Sequence, residues 1–223
     1  MDLLQTFFNW NVLVESLPLM IRGLGVTVLL GLVSIVLGLV GGLLLALLRL
    51  YSYAPVRLLA RIYIDIMRSI PLLVLLVLIY YSLPFFGLTL GSFAAVVVAL
   101  VINNTGYFSE IFRAGLESIP KGQHEATAAL GFHRFRGMIY IILPQAVRKV
   151  VAPLASNSLE LVKTTSIASL VALPELLRSA RVAQEQTYNP TPLTAAAVIF
   201  FIMLWPFSHW VSRLERKAII GRG

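Results

Sequence analysis

The sequence contains no cysteine and few charged residues. Without cysteine, the chain forms no disulfide and has no thiolate for catalysis or metal binding. Its three histidines, His124, His133 and His209, lack the spacing of metal ligands. Charged residues make up 13% of the 223 residues, whereas soluble domains carry about 25%. Together with the 58% hydrophobic content, this indicates that lipid surrounds much of the chain.

Signatures of common enzymes are also missing. The sequence has no G-x-S-x-G nucleophile motif, no H-E-x-x-H zinc motif and no G-x-x-x-x-G-K-[ST] phosphate loop. We therefore expect a chain that is not an enzyme, holds no metal and binds no cofactor. The net charge of +8 is typical of nucleic-acid binding in a soluble protein. In a membrane protein basic residues mostly set topology, so no nucleic-acid partner is expected.

Long apolar runs predict an all-α integral membrane protein with about five transmembrane helices. The uncharged run from Gly23 to Leu48 is about 26 residues long, and about 20 residues cross a bilayer. Along this run, small residues at three- and four-residue steps predict close packing of another helix, namely Gly31, Ser34, Gly38 and Gly42. The predicted spans are residues 23–48, 58–83, 92–113, 138–172 and 191–212. They lie in a membrane domain of residues 21–217, between an interfacial segment of residues 1–20 and a tail of residues 218–223.

Basic residues give these spans a predicted orientation. They concentrate in the first loop, in the third loop and after the last span, at Arg49, Arg57, Arg61, Arg68, Arg113, Lys121, Arg134, Arg136, Arg213, Arg216 and Lys217. The second loop carries none, and the N-terminal segment is acidic until Arg22. Because positive loops stay in the cytoplasm, the sequence predicts an outer N-terminus and a cytoplasmic C-terminus.

One cytoplasmic loop contains a short segment of helix-forming residues, 122–131. Ala, Leu, Glu and Gln favour a helix here, and Gly131 can supply its left-handed C-terminal cap. Glu125-Ala126-Thr127, three residues, Gly131, nine residues and Ile141-Ile142-Leu143-Pro144 form a pattern that resembles the EAA signature of bacterial ABC import permeases. Only Thr127 departs from it, in place of alanine.

Further motifs resemble the polar amino acid permeases of that class. They are Tyr63-x-Asp65-x-x-Arg68-Ser69-x-Pro71, Tyr107-x-x-Glu110-Ile111-x-Arg113-Ala114-Gly115-Leu116 and Leu161-Val162-Lys163-Thr164-Thr165-Ser166. The resemblance covers roughly residues 20–217 and implies the type I ABC importer permease fold in a bacterial inner membrane. It also implies a periplasmic N-terminus, a cytoplasmic C-terminus and a lipid environment.

The resemblance assigns the loop segment as a coupling helix. It implies that this helix docks on a separate ATPase subunit, which binds ATP and Mg²⁺. A second permease subunit, identical or homologous, would complete the path, and a periplasmic binding protein would deliver a polar amino acid or a related small solute. The expected coupling residues are Gln123, Glu125, Ala126, Thr127, Ala128, Ala129 and Gly131.

Two carboxylates inside predicted spans are candidates for the solute path, Glu110 and Glu160, because intramembrane charges are costly and usually functional. Either could meet the ammonium group of an amino acid. Alternatively, each forms a structural ion pair three residues away, with Arg113 or Lys163. Other candidates for the path are Asn103, Asn104, Tyr107, Lys163, Thr164 and Thr165.

Two other functions stay open as alternatives. A secondary carrier or channel is the first, although no inverted repeat is visible. An integral-membrane enzyme is the second, and it would require a clustered His/Asp or Ser/His set that the three scattered histidines do not provide.

Overall fold

The computed structural model describes the backbone of residues 3–220 and the side chains of residues 5–123, 125–133 and 135–216. Residues 221–223 of the predicted tail lie outside this part. Within it, every regular element is helical, as predicted. The α-helices are α1 (Leu3–Phe7), α2 (Trp10–Tyr51), α3 (Ala54–Ser69), α4 (Leu72–Val77), α5 (Ser92–Glu117), α6 (Lys121–Ala129), α7 (Arg134–Gly137), α8 (Leu143–Thr164), α9 (Leu176–Thr187) and α10 (Thr191–Ile220). The π-helical segments are Leu78–Ser82 and Met138–Ile142, and the 3-10 segments are Leu83–Phe86 and Thr165–Val171.

The described helices include four that are long and apolar enough to cross a membrane. They are Gln5–Tyr51, Ser92–Glu117, Phe135–Val171 and Thr191–Arg216. A fifth candidate is the bent pair Ala54–Ser69 and Leu72–Phe86. This number agrees with the prediction of about five spans.

The second predicted span, 58–83, is not one continuous helix. The chain bends by 101° between α3 and the helix that starts at Leu72. Ile70 has φ −84° and ψ 126°, an extended conformation, because Pro71 disfavours the helical conformation in the residue before it. The sequence carried this signal at Pro71, and the prediction of an unbroken span overlooked it.

The first membrane helix starts earlier than predicted. Helix α2 has 42 residues, about 63 Å at 1.5 Å per residue, and it includes most of the predicted interfacial segment 1–20. It begins at Trp10 because the Asn9 side-chain oxygen accepts hydrogen bonds from the backbone N–H groups of Asn11 and Val12 at 3.1 and 3.3 Å.

The chain forms two compact units, each built from three stretches of sequence. Unit 1 contains the chain up to Val36, Pro71–Val101 and Leu159–His209. Unit 2 contains Leu37–Ile70, Ile102–Ser158 and the chain from Trp210 onward. Helices α2, α5, α8 and α10 contribute residues to both.

Unit 1 is organised around the start of α9. A core of Met20, Leu176, Ala180 and Ala196 packs together. Glu175 is fully buried and caps α9, since its carboxylate accepts hydrogen bonds from the backbone N–H groups of the second and third helical residues at 2.9 and 2.7 Å. Burial raises the pKa of Glu175, and these two hydrogen bonds lower it in part.

Unit 2 contains a close crossing of α2 over α5. A Cβ atom at Gly42 would lie 2.5 Å from the Phe108 Cβ and 3.0 Å from the Ser109 backbone nitrogen. The two backbones can approach this closely only because Gly42 has no side chain. Packing of another helix against this small-residue stripe, predicted from the sequence, is confirmed at this position.

Candidate functional site

The loop segment predicted to be helical is helix α6, and its end is defined by hydrogen bonds. Gly131 has φ +76°, the left-handed conformation that glycine adopts without strain. The Gly131 N–H donates to the Ala128 carbonyl at 3.0 Å, and the Phe132 N–H donates to the Thr127 carbonyl at 3.2 Å. These two bonds form a Schellman cap, so the prediction that Gly131 ends the helix is confirmed.

The predicted coupling residues lie on two faces of α6. Thr127 is buried, and its hydroxyl donates to the Gln123 carbonyl at 2.6 Å. Its methyl group occupies the place that a Cβ atom at Gly137 would need, so Thr127 packs toward α7 rather than outward. The remaining members of the set are exposed, namely Gln123, Glu125, Ala126, Ala128, Ala129 and Gly131.

Large apolar side chains surround the end of α6. Leu130 is 73% exposed, Phe132 40% and Phe135 68%. Helix α6 is also tied to α8, because the Gln145 amide donates to the Gln123 side-chain oxygen at 3.3 Å. The exposed face of α6 therefore carries small side chains and has large apolar side chains at its end. The hydrogen bond to Gln145 fixes this helix against α8 within unit 2.

Glu110 in α5 is held between two arginines. Arg49 Nη1 lies 2.6 Å from one carboxylate oxygen, and Arg113 Nη2 lies 2.5 Å from the other. Arg113 also pairs with Glu117. Of the two interpretations of Glu110, the structural ion pair with Arg113 is therefore present, and it is reinforced by Arg49 from α2.

A cavity of roughly 370 Å³ opens beside this cluster in unit 2. Its polar lining comes from Arg68, Tyr107, Glu110, Ser118 and Lys149. The Arg68 guanidinium lies over the Tyr107 ring, with its carbon 5.6 Å from the ring centre. The Lys149 ammonium donates to the Ser118 carbonyl at 2.8 Å. Two cations and one already paired carboxylate thus face the same space.

The two asparagines predicted for the path are buried in unit 2. The Asn103 amide donates to the Met67 carbonyl at 2.9 Å, and the Asn104 side-chain oxygen accepts from the Asn157 amide at 3.3 Å. Both therefore join helices of this unit.

The candidates at the end of α8 and at the start of the following 3-10 segment belong to unit 1. Glu160 pairs with Lys163, as the structural alternative predicted. The hydroxyl groups of Thr164 and Thr165 donate to backbone carbonyls one turn earlier, at 2.8 and 2.7 Å. Lys163 also lines a second cavity of roughly 410 Å³, beside Trp205. The structure thus divides the predicted path residues between the two units.

Sequence reasoning missed two cations that line the unit 2 cavity, Arg68 and Lys149, and a third, Arg49, that holds Glu110 beside it. Arg49 was predicted only as a topology signal, Arg68 as a topology signal and a member of a family motif, and Lys149 had no predicted role. The motif that contains Arg68 could have indicated a functional role for this residue. For Arg49 no sequence pattern could do so, because it pairs with a residue 61 positions away. No group of three His, Asp or Glu side chains in the described part of the chain could hold a metal ion.

Comparisons with known proteins agree with this architecture. Residues 38–220 match the family model of the binding-protein-dependent transport system inner membrane component. The chain is 38% identical to the probable amino-acid ABC transporter permease protein YckA of Bacillus subtilis, covering 96% of this chain and 95% of that protein. It is 35% identical to the putative glutamine transport system permease protein GlnP of Rickettsia typhi, covering 90% and 93%.

A solved structure shares the fold as well. The crystal structure of an amino acid ABC transporter with histidines superposes on this chain with a TM-score of 0.86, at 36% identity, covering 94% of this chain and 98% of that one. The family match covers well over half of the sequence, and the described helices include four or five that can cross a membrane. The chain therefore belongs to the family of binding-protein-dependent transport system inner membrane components, and it is a multi-pass permease of the inner membrane.

Proposed function

We propose that this chain forms half of the path in an ATP-driven importer of polar amino acids and couples that path to a separate ATPase subunit. The observation that carries the proposal is α6, a nine-residue helix with a glycine cap and an exposed face of small residues. Such a surface suits docking into a groove, since small side chains allow close approach and a fixed cap keeps the helix rigid.

The surroundings of α6 support a protein partner at this place. Leu130 and Phe135 are each more than two-thirds exposed, in a loop that we predict to be cytoplasmic from its basic residues. Burying a side chain of this size gains about 1.5–3 kcal/mol. A partner that covers them would therefore bind more tightly than one that contacts the alanines alone.

The solute class comes from the relatives. YckA is described as a probable amino-acid permease and GlnP as a putative glutamine permease, and both align over nearly their full lengths. We infer that this chain also takes a polar amino acid, delivered by a periplasmic binding protein to a pair of permease subunits. The chain would lie with its N-terminus in the periplasm and its C-terminus in the cytoplasm.

The proposed mechanism assigns the solute path to the permease subunits and ATP hydrolysis to the ATPase subunits. ATP would bring two ATPase subunits together, the docked α6 helices would move with them, and the membrane helices would reorient as rigid bodies. This chain would contribute the path and the mechanical connection, while ATP and Mg²⁺ would bind to the partner.

The docking of α6 is tested by photo-crosslinking. Because the chain has no cysteine, single variants Ala128→Cys, Thr127→Cys and Thr89→Cys can each carry a benzophenone label in the assembled complex. Ala128, on the outer face of α6, should give an adduct with the ATPase. Thr127 faces α7 and should give little, and Thr89, exposed in the second predicted loop, should take the label without forming the adduct. An ATPase adduct from Thr89 and none from Ala128 would place the ATPase elsewhere.

A further inference from the structure

We propose that the unit 2 cavity beside Glu110 binds the carboxylate group of the transported solute, with the Arg68 guanidinium as the main contact and the Lys149 ammonium as the second. This inference rests on the proposed import function and names the chemical group that the chain itself recognises.

The charge balance of the cavity favours an anion. Each carboxylate oxygen of Glu110 already contacts an arginine, one Arg49 and the other Arg113. Neither oxygen is therefore available to bind the ammonium group of a solute. None of the ion pairs between described side chains includes Arg68 or Lys149. Neither cation that faces the cavity is therefore held in a direct ion pair, and Arg68 attracts the Glu110 carboxylate only at longer range.

Arg68 is positioned before any solute arrives. Its Cγ lies 3.4 Å from where a Cβ atom at Gly106 would stand, so its stem rests on α5. The guanidinium carbon lies 5.6 Å from the centre of the Tyr107 ring, a cation–π contact, and the Tyr107 hydroxyl donates to the Arg68 carbonyl at 3.4 Å. No described carboxylate forms an ion pair with this guanidinium, and arginine binds a carboxylate with two parallel hydrogen bonds.

Lys149 provides a second donor at the cavity. Its ammonium uses one N–H to the Ser118 carbonyl, and an ammonium has three, so two can still point to a ligand. The cavity volume of roughly 370 Å³ lies at the small end of the range for small-molecule sites, about 300–1,000 Å³. The space therefore suits a single amino acid rather than a peptide segment.

The test compares an amino acid with its α-amide, which lacks the carboxylate charge. The probe is whichever of glutamine, arginine and glutamate the wild-type complex imports. Displacement of the labelled amino acid is measured on the permease–ATPase complex in nanodiscs without the binding protein, so that only the membrane subunits contribute recognition. The wild type should prefer the acid over the amide by about tenfold or more, the scale of a hydrogen bond to a charged group.

The variants assign this preference to Arg68. Arg68→Gln should bind the acid and the amide alike, and Arg68→Lys should keep part of the preference because it retains the charge without the fork. Arg61→Gln is the matched control, since Arg61 is an exposed arginine two turns earlier on α3, and it should keep the full preference. Lys149→Gln, on another helix, should reduce the preference and provides a second test if Arg68→Gln does not assemble.

Three results would overturn the inference. The first is a wild-type complex that binds the acid and the amide equally well. The second is an Arg68→Gln complex that keeps the full preference for the acid. The third, if Arg68→Gln does not assemble, is a Lys149→Gln complex that keeps the full preference for the acid. Import by the wild type is measured in parallel proteoliposomes with the binding protein and ATP. If import occurs without the acid preference, only the carboxylate site is wrong, whereas absence of ATP-driven import contradicts the proposed function itself.

Discussion

Substitution of Gly131 is expected to weaken the docking of α6 in proportion to the cost of its left-handed conformation. Gly131 has φ +76°, and a Cβ atom there would meet no other atom within 4 Å. Steric overlap therefore contributes nothing, and the whole cost is conformational. For an alanine this cost is about 1–2 kcal/mol, and for β-branched valine it approaches the upper end of the 1–3 kcal/mol typical of such strain.

This cost matters because α6 is short. A nine-residue helix is marginal without its tertiary contacts and caps. A change of about 1.4 kcal/mol corresponds to a factor of ten in an equilibrium constant. We therefore expect Gly131→Ala to weaken ATPase binding by up to about thirtyfold and Gly131→Val by more. Gly131→Asn should stay close to wild type because asparagine tolerates this conformation.

The assay is a titration of the purified ATPase onto the permease in nanodiscs, followed by ATP hydrolysis stimulated by the loaded binding protein. Gly122→Ala is the matched control, because Gly122 lies in the same helix, has equally open space around its Cβ position and has no positive φ. It should bind the ATPase at least as well as wild type. If Gly131→Val binds and stimulates the ATPase like Gly122→Ala, the glycine cap of α6 does not control docking.

Three further predictions concern packing, pH and topology. Gly137→Ala should lower ATPase stimulation, because its new methyl group would overlap the Thr127 methyl at a cost of about 1–3 kcal/mol. Adding Thr127→Ala in a double variant should restore stimulation, and failure of that rescue would contradict the contact. Burial raises the pKa of Glu175 above its ordinary 4.5, so its stabilising contribution is full below that pH and is lost as the pH rises through the raised pKa. The apparent Tm should therefore fall over this range, and the fall should be smaller in Glu175→Gln; equal slopes would count against the assignment. A membrane-impermeant thiol reagent should label Ser118→Cys only from the cytoplasm and Thr89→Cys only from outside, and the reverse pattern would reject the predicted orientation.

The short helix could be predicted almost completely from local sequence. Helix formers followed by Gly131 predicted residues 122–131, and α6 with its cap occupies that place, because both propensity and capping act within a few residues. That the Thr127 side chain is buried toward α7 could not be predicted in this way. It depends on how α6 packs against Gly137, and no local sequence pattern indicates that contact.

Composition predicted the membrane helices, but the sequence predicted only part of where they bend and which of their side chains contact each other. Apolar runs located the last span at residue 191, where α10 begins. The bend after Ile70 had a local cause in Pro71 and could have been predicted. In contrast, the contact of Glu110 with Arg49 joins residues 61 positions apart, so the sequence left open whether this carboxylate is paired or meets an ammonium group.

Import through this chain is expected to depend on ATP hydrolysis by a partner subunit. The most direct measurement is accumulation of a labelled amino acid in proteoliposomes that hold the chain, its partner permease and the ATPase, with the binding protein outside and ATP inside. Accumulation should require both hydrolysable ATP and loaded binding protein, and it should persist when ionophores collapse ion gradients. Accumulation that continues without ATP and stops when the ionophores are added would instead identify a secondary carrier.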